Sequence, residues 1–406
     1  MKKGWEVKNL GEVCELITRG VSPKYDENNG ICVLNQKCIR NHKIDYEFSR
    51  LHDDKIKPTS NEKLIQIGDV LVNSTGTGTL GRVAQVRENP FKSVVDSHVT
   101  IVRPIKNKFY NAFFGYAMIC IEDDIATRGE GCGGQTELAR NTLKTEFEIH
   151  YPQSLAEQQR IVAILDEASD AIARSKENAK KNLQNAREIF ESYLQSVFAN
   201  RGDGWEEKKL GEIIENNVIG LTKSSSEQGF NMRYKYVKMN NITRDNSFDF
   251  SKYTCVDATK EDASKYSLDN GDFLFNTRNS YELVGKTCIF EMDGEETILF
   301  NNNIMRVRFI EKINSHFINY AFSSKTVIEN LDHFKSGTTN VSAIYYKDLK
   351  NLSLSIPPFP EQQSIVAKLD ALSTETKKLE AIYNRKLTDL EELKKSILQK
   401  AFNGEL

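Results

Sequence analysis

Residues 4–12 read GWEVKNLGE and residues 204–212 read GWEEKKLGE, so the chain repeats its opening after 200 positions. The two tryptophans of the chain, Trp5 and Trp205, occupy the matched position. Two further blocks recur in the same order, at offsets of 203 and 204 residues: GDVLVN (68–73) with GDFLFN (271–276), and EQQRIVAILD (157–166) with EQQSIVAKLD (361–370). These repeats predict a tandem duplication with a period near 200 residues.

The length and composition restrict the class of protein. A chain of 406 residues suits two or three domains. The hydrophobic share of 39% and the charged share of 28% favour folded cores over a disordered chain. The formal net charge of −2 is not that of a strongly basic, self-sufficient DNA binder.

The sequence predicts a cytoplasmic protein without a structural metal. It has no apolar run near 18 residues and no apolar signal-peptide stretch after its first residues. Its seven cysteines are odd in number and form no C-x-x-C pair, which argues against a disulfide framework and a zinc site.

Each half is predicted to contain a mixed domain followed by a long helix. Short β-type runs alternate with Gly, Asn and Pro, and one helical stretch interrupts them. Expected strands are 31–34, 70–73, 83–86 and 99–102 with a helix at 109–121, then 236–239, 273–276, 287–290 and 305–309 with a helix at 315–322. The expected fold class is α+β, with two pseudo-repeated α/β domains at 1–155 and 201–359.

The segments 156–200 and 360–406 are predicted to be long helices. Residues 157–199 contain no proline or glycine, and apolar or small residues recur at steps of four and three, as in a coiled-coil seam. The same seam follows 204 residues later, broken only by Lys394. The positions predicted to mediate helix pairing are Ile161, Leu165, Ile172, Leu183, Phe190, Ile365, Leu369, Leu372, Leu379, Leu387, Leu390 and Ile397.

These two helices need a partner for their apolar seams. We expect them to pair with each other as an antiparallel coiled coil that separates the two domains. The alternative is that each helix packs on its own domain.

Motifs that resemble catalytic sites do not fit their families. Residues 76–81 match G-x-G-x-x-G, but a β-type run follows where a dinucleotide site needs a helix. Gly285, Lys286 and Thr287 end like a P-loop, yet Ser280 stands where its first glycine belongs. No catalytic residue and no metal ligand is predicted.

Glycine-rich loops carry amide, hydroxyl and basic side chains at matching places in both halves. Asn and Gln can bind an adenine edge, and Arg and Lys a guanine edge or a phosphate. These residue types also form ordinary turns, which is the alternative reading of each loop. The residues predicted to contact DNA are Gln36, Lys37, Arg40, Ser74, Thr75, Thr77, Arg82, Gln135 and Thr136 in the first half, and Lys238, Asn240, Asn241, Arg244, Thr277, Arg278, Asn279, Ser280, Thr339 and Asn340 in the second.

The whole chain resembles the specificity (S) subunit of type I restriction–modification enzymes. The resemblance is carried by the duplicated W-x-x-x-x-L-G-E opening, the two Gly-Asp strands and the two E-Q-Q-x-I-V-A-x-L-D helix starts. The stretches NTRNSYELVGK (276–286) and LQKAFNGEL (398–406) are also similar to that family. The first half differs in entering its helix through a single proline, Pro152, where the second half has PPFP (357–360).

The resemblance implies a non-catalytic subunit that reads double-stranded DNA. Each domain would be a target recognition domain for one half of a bipartite site, and the helices would set the spacer and dock two methylation subunits. S-adenosylmethionine would then belong to the methylation subunits, ATP and Mg to restriction subunits, and no cofactor to this chain. The rival readings are a coiled-coil scaffold without DNA specificity and a single-chain methyltransferase or nuclease.

Overall fold

The computed structural model describes residues 4–131, 136–292, 294 and 296–406. The chain divides into two units. The first runs up to Lys180 and also includes Asn384–Leu406, and the second is Lys181–Tyr383. Each unit therefore contains one mixed domain and segments of both long helices.

The domain of the first unit is built on two four-stranded sheets that share a buried core including Leu34, Leu71 and Ile101. The larger sheet has the antiparallel order Cys14–Arg19, Val99–Pro104, Val70–Asn73, Val83–Gln85. The other has the order Ser93–Val95, Ile31–Leu34, Arg50–His52, Tyr25–Asp26, and its first two strands are parallel. Two-stranded pairs are Trp5–Asn9 with Glu148–Pro152 and Ile39–Arg40 with Lys43–Ile44, and the shorter helices are Leu10–Val13, Asn111–Cys120, Glu122–Thr127 and Arg140–Thr145.

The second unit repeats the two sheets in the same strand order. Its larger sheet is Ile214–Ile219, Ile304–Phe309, Phe273–Asn276, Thr287–Ile289, and its other sheet is Ile298–Phe300, Tyr234–Val237, Thr254–Val256, Gln228–Gly229. Further strands are Glu206–Lys209 with Ser353–Ile356, and the three-stranded set Arg278–Asn279, Ser342–Ala343, Ser336–Gly337. The shorter helices are Leu210–Ile213, Lys260–Lys265, Ser315–Phe322, Lys325–Phe334 and Tyr346–Leu349. The sequence repeat is thus a repeat of topology.

One strand is shifted as a whole by two residues from the sequence expectation, whereas the others agree with it to within two residues at one end. The strand expected at 236–239 is Tyr234–Val237, and a tight turn begins at Lys238. The Asn241 side chain causes the change, because its Oδ1 accepts a hydrogen bond from the Lys238 backbone N–H at 2.8 Å.

The repeated Gly-Asp motif anchors the central strand of each larger sheet. Asp69 accepts hydrogen bonds from the Arg103 guanidinium at 2.7 and 2.8 Å, and only 1% of the Asp69 side chain is exposed. Asp272 binds Arg308 in the same way, at 2.6 and 3.0 Å. The glycine before each aspartate has a positive φ, +99° at position 68 and +88° at position 271, so the turn requires glycine.

Each long helix is tied to its domain by a buried glutamine in its first turn. The helices are Leu155–Ala199 and Phe359–Phe402. The fully buried Gln158 amide accepts the Tyr110 N–H at 2.8 Å and donates to the Pro152 carbonyl at 2.9 Å. Gln362 makes the equivalent bonds, accepting from Asn314 at 2.8 Å and donating to Pro357 at 2.9 Å. One side chain thus joins the long helix, the preceding strand and the N-terminus of a short helix.

A second tie lies two turns further along each helix. The Tyr116 hydroxyl donates to the Asp166 carboxylate at 2.6 Å, and Tyr320 donates to Asp370 at the same distance. These pairs are equivalent at the 204-residue offset. The recurring E-Q-Q-x-I-V-A-x-L-D block is therefore a docking sequence for the short helix of the domain.

Segments of the two long helices pair in antiparallel fashion within each unit. In the first unit, Arg160 donates to the Leu406 carbonyl at 2.8 Å and Lys176 pairs with Glu391 at 2.5 Å. In the second unit, Arg187 pairs with Glu380 at 3.0 Å. Positions that rise in number along the first helix thus meet positions that fall along the second.

The helices also pack on the domains. Helix pairing and packing on a domain, which the sequence offered as alternatives, therefore both occur. Ile161 and Leu165 belong to the first domain's core, and so does Phe402 from the end of the second helix. Phe198, at the end of the first helix, packs on Phe317 of the second domain, with ring centroids 5.4 Å apart.

The predicted seam positions differ in burial. Ile161, Leu165, Ile172 and Leu369 are buried, and most of the others are half-buried. Leu379 departs from the pattern, because 39% of it is exposed. The neighbouring Glu380 faces the first helix in its place, since its carboxylate binds Arg187.

Replacing Gln362 by alanine should lower stability by about 1–3 kcal/mol, because the Asn314 N–H and the Pro357 carbonyl would lose their partner in a buried site. The measurement is a thermal unfolding scan of the full chain. The matched control is Gln363→Ala, since that neighbouring glutamine is exposed. Equal melting temperatures for the two variants would contradict the docking role of Gln362.

Candidate nucleic-acid interface

Three loops of the first domain meet at one end of its sheets. We call residues 35–40, 73–79 and 136–138 the first loop cluster. The Gln36 amide donates to the Thr75 hydroxyl at 2.6 Å and to the Thr75 carbonyl. The backbone of Gly76 donates to Thr136, and Leu138 donates to Ser74. The loops join because strands Ile31–Leu34 and Val70–Asn73 end side by side.

The second domain forms an equivalent arrangement, the second loop cluster, from residues 238–244, 276–281 and 335–343. Strand Ser342–Ala343 pairs with both Arg278–Asn279 and Ser336–Gly337, which joins two of the loops. Asn303 joins the third, because its carbonyl accepts from Asn276 and its amide lies 3.5 Å from the Met239 sulfur. Each domain therefore brings together loops that carry predicted DNA-contacting residues.

The predicted DNA-contacting residues differ in accessibility. Lys37, Arg40, Thr77, Asn240, Arg244, Arg278, Thr339 and Asn340 are exposed. Gln36, Thr75, Arg82, Thr136, Lys238, Thr277, Asn279 and Ser280 are half-buried. Gln135 lies outside the described residues.

Ser74 and Asn241 are buried, so direct contact with DNA does not fit their positions. The Ser74 hydroxyl lies 2.6 Å from that of Thr100. The Asn241 amide donates to the carbonyls of Asp249 and Lys252 at 2.7 and 2.6 Å. Both side chains therefore hold the loops through buried hydrogen bonds.

Hydrogen bonds within the loops hold several half-buried amides and guanidinium groups. Asn279 donates to the Asn276 side chain at 3.0 Å and accepts from the Ser280 N–H. Arg82 donates to the Gly78 carbonyl at 2.8 Å. These bonds fix the backbone from which neighbouring exposed side chains project.

The exposed arginines differ in how tightly they are held. The Arg40 guanidinium donates to the Lys37 carbonyl and lies 4.9 Å from the centre of the Phe48 ring. Within the described part of the chain, the Arg278 guanidinium makes no hydrogen bond or ion pair. Arg278 is therefore a cation on a fixed strand, available to a ligand.

Two features of the second cluster were not assigned a role from the sequence. The amine of the half-buried Lys286 donates to the carbonyls of Met239 and Ile242. These bonds tie the 238–244 loop to the start of strand Thr287–Ile289. Burial, and then the nearby Arg244 charge, lowers the pKa of Lys286. Tyr281 is 43% exposed, and the Lys335 amine lies 4.5 Å from its ring centre. In the sequence, the run NTRNSYELVGK (276–286), which contains both Tyr281 and Lys286 among polar and basic residues, was the signal that could have identified these two residues.

The motif at 76–81 is the turn of an antiparallel hairpin. It connects Val70–Asn73 with Val83–Gln85, so a strand follows it and no helix N-terminus points at the glycines. Among the described residues, no group of three or more His, Cys, Asp or Glu is suited to hold a metal ion. None of the helices in those residues is long and apolar enough to cross a membrane.

Comparison with known proteins identifies the same architecture. The family model described as "Type I restriction modification DNA specificity domain" matches residues 2–185 and again 202–388. The EcoKI specificity subunit of Escherichia coli K12 is 22% identical, with 100% of this chain and 90% of the relative covered. The StySPI specificity subunit of Salmonella potsdam is 24% identical at the same coverage.

Two solved structures share the fold. A chain from a structure concerning assembly and conformational transition of the type I R-M system has a TM-score of 0.81 and 20% identity, covering 100% of this chain and 99% of that one. The HsdS subunit from Thermoanaerobacter tengcongensis has a TM-score of 0.62 and 20% identity, covering 100% and 98%. With two copies of the domain on one polypeptide, this chain belongs to the type I restriction modification DNA specificity family.

Proposed function

We propose that this chain is the DNA-recognition subunit of a type I restriction–modification complex, in which each domain reads one half of a split DNA sequence. The duplicated loop arrangement is the main support, because two equivalent clusters of polar and basic loops suit two half-sites. The full-length relatives named as specificity subunits support it further.

Base readout in the second half-site falls to the exposed side chains of the second loop cluster. Arginine binds the O6 and N7 atoms of guanine with two parallel hydrogen bonds, and asparagine binds adenine similarly. Arg278 lies on a short paired strand, so its backbone is held while its guanidinium is exposed. We assign Arg278, Asn240 and Asn340 to base contacts. In the first cluster, the exposed Arg40 takes the corresponding role, and the half-buried Gln36 contributes its amide oxygen, since its amide nitrogen donates to Thr75.

Phosphate contacts would position the domains without specifying sequence. Lys37, Lys238 and Arg244 are suited to this role, because they flank the proposed base-reading residues. A net charge of −2 nevertheless limits the electrostatic attraction to DNA. We therefore propose that partner subunits supply much of the phosphate contact.

We propose that the chain is itself non-catalytic. Methylation subunits would carry S-adenosylmethionine, and restriction subunits would carry ATP and Mg. Half-buried loop residues such as Gln36 and Asn279 are engaged in hydrogen bonds that hold the loops, which suits a structural role better than proton transfer.

Two exposed apolar residues mark equivalent docking sites for two methylation subunits. Ile189 is 58% exposed and Leu393 is 47% exposed, and they are equivalent at the 204-residue offset. One lies in each unit. Two copies of one partner need the same patch twice, which this pair provides.

We further propose that the long helices set the spacing of the two half-sites. Each helix has segments in both units, and in each unit it pairs with the other helix. A change of helix length at the unit boundary should therefore change the spacing between the reading domains.

Replacing Arg278 by alanine should relax specificity at one base position and cost about 1–3 kcal/mol with the cognate base. Binding of the assembled complex to a panel of single-base DNA variants measures this. The matched control is Arg233→Ala, an exposed arginine at the opposite end of strand Tyr234–Val237 from the cluster. Uniform weakening on every sequence would reduce Arg278 to a phosphate contact.

The variant Ile189→Asp should reduce bound methylation subunits from two to one per chain, and adding Leu393→Asp should abolish binding. A charge cannot be buried in an apolar contact without a large desolvation cost. Native mass spectrometry gives the stoichiometry. Ile382→Asp is the control, because Ile382 is also 58% exposed but its repeat equivalent is the polar Asn178. A ratio of two in the Ile189 variant would refute the assignment.

Inserting four residues after Lys180 and four after Tyr383 should lengthen the DNA spacer by up to one or two base pairs. Four helical residues rise about 6 Å, and DNA rises about 3.4 Å per base pair. The double insertion keeps the ion pairs of each unit in register. Mapping of methylated adenines gives the spacer, and the half-site sequences should not change.

An insertion in the first helix alone is the control for this experiment. It shifts one helix against the other, so assembly should suffer without a defined new spacer. An active double-insertion complex that methylates sites with the original spacer would rule out the helices as the spacing element.

A further inference from the structure

The two long helices carry opposite charges at equivalent positions. Lys176 of the first helix pairs with Glu391 of the second in one unit, and Arg187 pairs with Glu380 in the other. At the 204-residue offset, Lys176 is equivalent to Glu380 and Arg187 to Glu391. The first helix therefore has cations at both positions, and the second has anions at both.

The duplicated seam by itself does not distinguish the two helices. Both carry apolar residues in the same register, so each could pair antiparallel with a second copy of itself. The first helix is also synthesised about 200 residues before its partner. At the usual rate of synthesis, this leaves roughly 10–40 s in which it could meet the first helix of another chain.

We propose that these four charged residues select pairing between the two helices of one chain and oppose pairing between identical helices of two chains. In a pair of first helices with the same register, Lys176 would face Arg187 of the other copy, twice over. In a pair of second helices, Glu380 would face Glu391. Like charges across a helical seam disfavour that pairing, while the unlike pairs stabilise the correct one.

The positions of these side chains make the charges effective. Lys176 is 20% exposed and Glu380 is 30% exposed, so one member of each pair is partly screened from water. The Lys176 amine, with the charges of Lys394 and Lys180 nearby, lowers the pKa of Glu391. Lys180 also lies on the first helix, so it would add to the repulsion between two first helices.

The test compares two variants of the full chain that have the same composition and net charge. Lys176→Glu with Glu380→Lys places like charges in both pairs within the chain, and opposite charges in all pairs between identical helices. Lys176→Glu with Glu391→Lys, the control, also has opposite charges between identical helices but keeps opposite charges in both pairs within the chain, so the two variants differ only in the pairs within the chain. Light scattering over a range of concentrations gives the dimer fraction, and thermal unfolding gives the melting temperature.

The first variant should show a lower melting temperature than the control and a dimer-to-monomer ratio raised roughly tenfold or more, since each partly exposed pair changes an equilibrium about 1.5- to 5-fold. Adding Arg187→Glu and Glu391→Lys to this variant makes the first helix acidic and the second basic at these positions. This should restore the monomer and the melting temperature.

Equal dimer ratios and melting temperatures for the first variant and the control would overturn the proposal. Should the first variant aggregate, the fourfold variant decides. A folded, monomeric fourfold variant supports the charge selection, and aggregation of that variant as well refutes it.

Discussion

The structure depends on a buried amide at the start of each long helix. Gln158 and Gln362 are at most 1% exposed, and each binds an N–H at the start of a short helix and a carbonyl where the preceding strand ends. An unsatisfied polar group there would cost about 1–3 kcal/mol, so the direction in which the helix leaves its domain is tightly specified. The tyrosine–aspartate ties two turns later hold that direction along the helix.

Beyond these helix starts, the same arrangement of sheets in each domain supports a loop cluster, and the two clusters expose different side chains. The Gly-Asp turns, with the ion pairs that their aspartates make to Arg103 and Arg308, fix the central strands, and the strand ends hold the loops. Within the clusters, the scaffold is repeated while the exposed residues change: Arg278 has no arginine counterpart in the 73–79 loop. A duplicated protein of this kind can read two different half-sites, because the residues that fold the domain are separate from those that project from it.

The loops of the candidate site could be predicted from the sequence, but not the role of each residue in them. Repetition of amide and basic residues after equivalent strands indicated matching loops in both halves. Burial then separated the positions: Ser74 and Asn241 face the interior, whereas Arg278 and Asn340 face solvent. Lys286, which resembles a P-loop lysine in sequence, ties a neighbouring loop through two backbone carbonyls. Side-chain direction in an irregular loop depends on contacts distant in sequence, which no local pattern encodes.

The sequence by itself determined the duplication, the two mixed domains and the long helices with their seams, because repeats and apolar periodicity can be read directly along the sequence. Tertiary structure alone decided which parts of the helices belong to which unit. The end of the first helix packs on the second domain and the end of the second helix on the first, through contacts such as Phe198 with Phe317 and Phe113 with Phe402. Only that arrangement brings Lys176 to Glu391 and Arg187 to Glu380. An apolar seam requires burial but does not specify which helix segment packs against it. That segment is determined by tertiary contacts, which form only after the chain has folded back on itself.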